Sequence, residues 1–168
     1  MDADDVVREF GTDLAKDAVA EVSPGELDLF DEVADEYWAD PEAAVAADRR
    51  DEQLGFGIDL ALLAPFAISI AVAVGQYLFG ILTDAVAGEA KTAVAAKLRA
   101  LLRRKGGPEA APLTPAQFAQ VRSVALEAAG RLGLATDTAR LLTDAIVGGL
   151  VQPSGAPSGG TTDGRAQT

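Results

Sequence analysis

Apolar residues recur at helical spacing along most of the chain. Val6, Phe10 and Leu14 stand four apart and predict a helix from about Ala3 to Val22. Ser23-Pro24-Gly25-Glu26 then reads as a helix start. In that reading Ser23 caps, Pro24 takes the first helical position, and Glu26 reaches back to the Ser23 amide as a capping box. The helix so opened carries Leu27, Phe30, Val33, Ala34, Tyr37 and Trp38 on one side, with Tyr37 and Trp38 placed in the core. Asp40-Pro41 repeats the cap-then-proline device and opens a third, alanine-rich helix that ends near Asp51.

Leu54-Gly55-Phe56-Gly57 interrupts the pattern, because closely spaced glycines disfavour helix. Leu60 to Thr83 follows, 24 residues without a charge. A membrane-spanning helix needs about 20 such residues, and Pro65 is tolerated in its first turn or two. The segment fits a bilayer span. It also fits a core helix of a soluble bundle, which can be apolar all round. A third pattern is superimposed: Ala67 to Val74 alternates small and large side chains, as a strand does. Read as a helix, the segment sets Ala67, Ala71 and Gly75 on one ridge, close enough to admit a second helix in a bilayer. Phe66, Ile70, Val74 and Leu78 are its large side chains for lipid or helix packing. Gln76 is the polar side chain of its C-terminal half, placed to bond another helix or to sit near a membrane surface.

From Glu89 to Lys105, Val94, Leu98, Leu101 and Leu102 form an apolar stripe beside Lys97, Arg99, Arg103 and Arg104. A basic amphipathic stretch next to an apolar span reads as a segment lying on anionic lipid, with the basic side cytoplasmic. The other reading is a solvated helix packing its leucines on its neighbours. Gly106 to Pro112 is a linker by composition. Thr114-Pro115-Ala116-Gln117 carries a second capping box. Phe118, Val121, Val124, Ala125, Ala128 and Leu132 follow on one face, and Gly133 ends that helix. Thr136 or Asp137 is placed to cap the next, with Leu141, Leu142, Ala145, Ile146 and Leu150 apolar. The pair reads as an αα-hairpin. From Gln152 onward no large apolar residue remains, the signature of a disordered tail.

Charge divides the chain further. Residues 1–59 hold 19 Asp+Glu against 4 Lys+Arg, residues 60–105 hold 2 against 6, and residues 106–168 hold 5 against 4. The acidic N-terminal third repels phosphates, which argues against nucleic-acid binding. There is no cysteine and no histidine. The commonest general base, thiolate chemistry and the commonest transition-metal ligand are therefore missing. Asp28, Asp31, Glu32, Asp35 and Glu36 fall at helical spacing, but carboxylate-bridged metal helices pair Glu with His. These residues read as a solvated acidic face. No nucleotide-binding loop or nucleophile motif is found, so the sequence predicts neither catalysis nor a cofactor. Met1-Asp2-Ala3-Asp4-Asp5 matches neither a signal peptide nor a myristoylation site.

Glu26-Leu27-Asp28-Leu29-Phe30, the Leu54-Gly55-Phe56-Gly57 lead into the apolar segment, and Leu113 to Gln117 opening a hairpin that closes on Asp144 to Gly148 resemble a family of small, mainly actinobacterial helical proteins. The resemblance covers most of residues 21–150. It implies that the three regions form one unit, and it implies no activity or site residue.

The expected fold is all-α. An acidic helical region (1–53) precedes the apolar helix with its basic extension (54–105). A linker (106–113), a helical hairpin (114–151) and a disordered tail (152–168) follow. The expected function is a membrane-associated, non-enzymatic component that anchors or oligomerises a bacterial assembly, of a defence or stress kind. Its expected partners are the bilayer, another protein and further copies of itself. The alternative is a cytoplasmic all-helical adaptor whose apolar helix is buried by its own helices or by a partner.

Overall fold

The computed structural model describes residues 3–52, 62–84 and 114–150. They form six α-helices: α1 (Ala3–Val22), α2 (Phe30–Ala39), α3 (Pro41–Glu52), α4 (Ala64–Asp84), α5 (Pro115–Arg131) and α6 (Thr136–Gly149). The described residues contain no strand, so the small-large alternation of Ala67 to Val74 lies on a helix. Residues 85–113 and 151–168, with the expected basic stretch, linker and tail, lie outside the described residues, as does the glycine-interrupted lead at 54–57.

The apolar helix is the axis of the packing: α4 touches each of the other five helices and meets α1 most extensively. Phe66, Ala67, Ile68, Ile70, Ala71, Val74 and Leu78 are buried in one core cluster. Val6, Phe10 and Leu14 of α1, Phe30 and Tyr37 of α2, Val121 of α5, and Leu142 and Ile146 of α6 share that cluster. Three separate stretches of sequence thus close over one interior. Burying a large aliphatic or aromatic side chain contributes about 1.5–3 kcal/mol. The five largest of these on α4 therefore contribute as much as the whole net stability of an ordinary domain, roughly 5–15 kcal/mol. Thr143 is the polar member of the interior, and its hydroxyl finds no hydrogen-bond partner among the described residues.

α1 and α4 run antiparallel, with Gly11 against Val72 and Gly75 against Val7 and Phe10. Glycine lets the two helices approach closely at this crossing. A Cβ on Gly11 would stand 2.8 Å from Val72 Cγ2 and 3.2 Å from its Cα and N, so the methyl and the α4 backbone would both have to shift to admit it. The ridge that the sequence offered to a second membrane helix, Ala67, Ala71 and Gly75, is buried within the chain, with Gly75 under α1.

The Ser23–Glu26 motif folds differently from the expected capping box. Pro24–Glu26 is a single 3-10 turn, the Ser23 side chain caps nothing, and α2 begins only at Phe30. Glu26 instead caps α4: Oε1 accepts from the Leu63 amide at 3.1 Å and Oε2 from the Ala64 amide at 3.0 Å. The reason is electrostatic. The first turn of α4 has no acidic residue of its own, and a helix N-terminus carries roughly half a positive charge on amides that need acceptors. Pro65, at the second helical position, removes one of those amides. A carboxylate is stabilised more by these donors than by the single Ser23 amide.

Elsewhere the local signals hold. Asp40 Oδ1 caps α3 through the Ala43 amide at 3.0 Å. Thr114 and Gln117 make both bonds of their capping box. Gly133, at φ 73°, ends α5. There the Gly133 and Leu134 amides bond back to the Gly130 and Ala129 carbonyls, a Schellman turn. That turn places Ala135, not Thr136 or Asp137, at the N-cap of α6, with no side-chain bond. Leu141 also departs from expectation. The buried face of α6 is Ala139, Leu142, Thr143, Ala145 and Ile146, and Leu141 lies off that face, 53% exposed.

Two substitutions test this packing by urea unfolding. Glu26→Ala removes a charged cap from the core helix and should cost about 1.5–3 kcal/mol. An unchanged midpoint would show that water replaces the carboxylate without loss. Gly11→Ala should destabilise by about 1–3 kcal/mol through overpacking, although alanine is the better helix former by about 1 kcal/mol. Gly80→Ala, on α4 where a Cβ meets nothing within 4 Å, is the control and should be neutral or stabilising.

Candidate functional site

Each side chain assigned by sequence to membrane or helix packing (Phe66, Ala67, Ile70, Ala71, Val74, Gly75 and Leu78) is buried within the chain. α4 is nonetheless long and apolar enough, between Ala64 and Ile81, to cross a membrane. Its coverage is uneven. Val72, Ala73, Tyr77, Phe79, Gly80 and Ile81 are half-buried, and Gln76 is the one exposed residue among 62–81. Lys97, Arg99, Arg103 and Arg104, assigned to a lipid surface, lie outside the described residues.

The structure adds a feature that the sequence did not single out, an open groove of about 410 Å³ between α1 and α2. α1 contributes Asp5, Arg8, Glu9, Thr12 and Asp13, and α2 contributes Asp31, Ala34, Asp35 and Trp38. The positions follow from helical periodicity. Val6, Phe10 and Leu14 turn inward, so Asp5, Glu9, Thr12 and Asp13 turn outward beside them. On α2, Tyr37 completes the buried face and its hydroxyl accepts a bond from Ser69 Oγ at 3.0 Å. Trp38 falls one residue beyond that face and is half-buried at the groove.

Trp38 is held firmly. Its Nε1 donates to Thr12 Oγ1 at 3.1 Å, and Thr12 Oγ1 donates to the Arg8 carbonyl at 2.9 Å. Tyr37 meets it edge-on at 5.1 Å between ring centroids. The Arg8 guanidinium stands 4.8 Å from the indole centroid, a cation–π contact. Lys16 pairs with Asp31 at 2.7 Å. Both partners are well exposed, so the pair contributes at most about 1 kcal/mol. The groove thus combines five carboxylates with one guanidinium and a fixed aromatic wall. Such a surface attracts cations, and its aromatic wall already carries one guanidinium, that of Arg8.

The expected acidic residues are all exposed, Asp31, Glu32, Asp35 and Glu36 on α2 and Asp28 in the turn before it. No group of three or more carboxylates among the described residues is arranged to hold a metal ion. No family model matches the chain, and no curated protein or solved structure matches it.

Proposed function

We propose that this chain is a non-catalytic helical adaptor that docks a cationic segment of another protein into the groove between α1 and α2. The observation that carries this reading is the pairing of five carboxylates with the fixed face of Trp38 in one open groove. The occupant it suits is a lysine- or arginine-bearing helix or extended peptide. Its charges would meet the combined field of Asp5, Glu9, Asp13, Asp31 and Asp35, exchanging with Lys16 at Asp31, and one of its side chains would take the place of Arg8 on the indole.

A second reading, membrane anchoring, is favoured by one observation: α4 has the length and apolarity of a span. At 1.5 Å per residue its helix is roughly 32 Å long, close to the thickness of a bilayer core of about 30 Å. The burial of Phe66, Ile70, Val74 and Leu78 by the chain's own helices favours the adaptor instead. Carbonate washing of a membrane pellet separates the two, since an adaptor is released and an anchored span is retained.

The groove itself is tested through Trp38, the single tryptophan of the chain. Titration with a synthetic arginine-rich peptide should shift its fluorescence, with an apparent Kd below about 100 μM at low salt. The affinity should fall as salt shortens the screening length below about 10 Å. Asp31→Asn with Asp35→Asn should weaken binding about three- to ten-fold, at up to about 1 kcal/mol per exposed charge. A glutamate-rich peptide that binds equally well, or no spectral change with either peptide, would remove the proposal.

A further inference from the structure

One stripe of α4 loses its cover along its length. Phe66, Ile70, Ala73, Tyr77, Gly80 and Ile81 follow one another at helical spacing. Phe66 and Ile70 are buried, Ala73, Tyr77, Gly80 and Ile81 are half-buried, and exposed Gln76 marks the edge of the stripe. α1 lies on another side of the helix, over Val72 and Gly75, and no described residue comes within 4 Å of where a Gly80 Cβ would be. α4 ends at Asp84 and α5 begins at Pro115, and three contacts relate these two points. Gly11 against Val72 and Phe10 against Gly75 put Leu14 of α1 about level with Ile70. A Cβ on Gly149, at the end of α6, would stand 3.1 Å from Leu14 Cδ1. The ion pair of Arg122 with Asp144 across the hairpin then sets the start of α5 beside the end of α6. Between Asp84 and Pro115 the chain must therefore return along α4 to about the level of Ile70, roughly 21 Å at 1.5 Å per residue.

We infer that Glu89 to Lys105 makes this return as a helix packed antiparallel on α4, its apolar stripe covering Ala73, Tyr77, Gly80 and Ile81. Length, pattern and charge all point to this occupant. As a helix the 17 residues span roughly 26 Å, within about one turn of the distance to be covered. Ala85-Val86-Ala87-Gly88 is a connection of the length, about two to five residues, that joins antiparallel helices. Such a connection sets Val94 between Tyr77 and Ile81 and Leu98 between Ala73 and Tyr77. Leu101 and Leu102 continue toward Ile70. The small Ala73 and Gly80 leave room on either side of Tyr77 for these larger side chains. Residues 85–113 hold six basic side chains against Glu89 and Glu109, whereas residues 1–59 hold 19 Asp+Glu against 4 Lys+Arg. The segment is thus attracted to the body it packs on. A second copy, at net −12, is repelled as a whole and lacks the tether, which keeps the segment at an effective concentration of about millimolar. This packing lies on α4, separate from the α1–α2 groove, and goes beyond the docking role.

Two nitroxide labels on the full chain in detergent-free buffer test the proposal. The chain has no native cysteine, so Gln76→Cys with Lys97→Cys labels the edge of the α4 stripe and the flank of the segment alone. Double electron–electron resonance should give one narrow distance distribution at about 10–25 Å, because the axes of packed helices lie about 8–10 Å apart. An excess of unlabelled chain should leave it unchanged. Leu98→Glu, with an unchanged circular dichroism spectrum, should broaden it and move its centre outward by at least about 10 Å, as expected of a released flexible tether. If Leu98→Glu does not fold, the doubly labelled chain without it still decides. A broad distribution centred beyond about 30 Å overturns the inference. So does a narrow one that disappears on dilution with unlabelled chain, which assigns the contact to a second copy. A narrow distribution that forms only when anionic vesicles are added, or that folded Leu98→Glu leaves intact, overturns it equally.

Discussion

A helix without a single charge from Ala64 to Thr83 cannot stand alone in water, and the rest of the fold answers that constraint. α1 supplies the closest cover, and the crossing works because Gly11 and Gly75 remove side chains where the two backbones meet. α2, α3, α5 and α6 take the remaining sides. The cover is nearly complete toward the N-terminus of α4 and thinner around Gln76 and Tyr77. The end of the helix is settled separately, by Glu26 on the Leu63 and Ala64 amides. Hydrophobic burial sets which elements associate, and one carboxylate sets where the helix begins.

Covering α4 also determines what is left for the surface. α1 and α2 turn their apolar faces inward and so present carboxylates outward on both walls of a groove. Trp38 sits where the buried face of α2 gives way to the exposed one. Its ring is fixed by Thr12 on one side and Tyr37 on another. The same packing leaves the α5–α6 hairpin with a balanced rim and two outward leucines.

Much of this was legible in the sequence because it is local. The stripes of α1 and α5, the Asp40 and Thr114 caps and the Gly133 stop depend on residues within a turn or two of one another. The failures are non-local. Glu26 reads as a partner for Ser23 until α4, 37 residues away, offers it better donors. Gly11 carries no local signal at all, and its role is visible only with Val72 against it. Leu141 reads as part of a stripe because Leu142 beside it is also apolar, and only the packing of α6 shows which of the two turns inward. The groove draws on α1 and α2 together, so no single segment announces it. The small-large alternation of Ala67 to Val74 is a pattern that packing overrode, since helix formation satisfies every backbone group of a buried segment without a sheet.

The central claim is that α4 is the interior of this chain when no lipid is present. Amide hydrogen exchange in detergent-free buffer measures it directly. Ala67 to Leu78 should be the slowest-exchanging stretch of the protein and should open only with global unfolding, while the amides of α3 exchange sooner. Fast exchange across Ala67 to Leu78 in buffer, slowed only when lipid vesicles are added, would contradict the account.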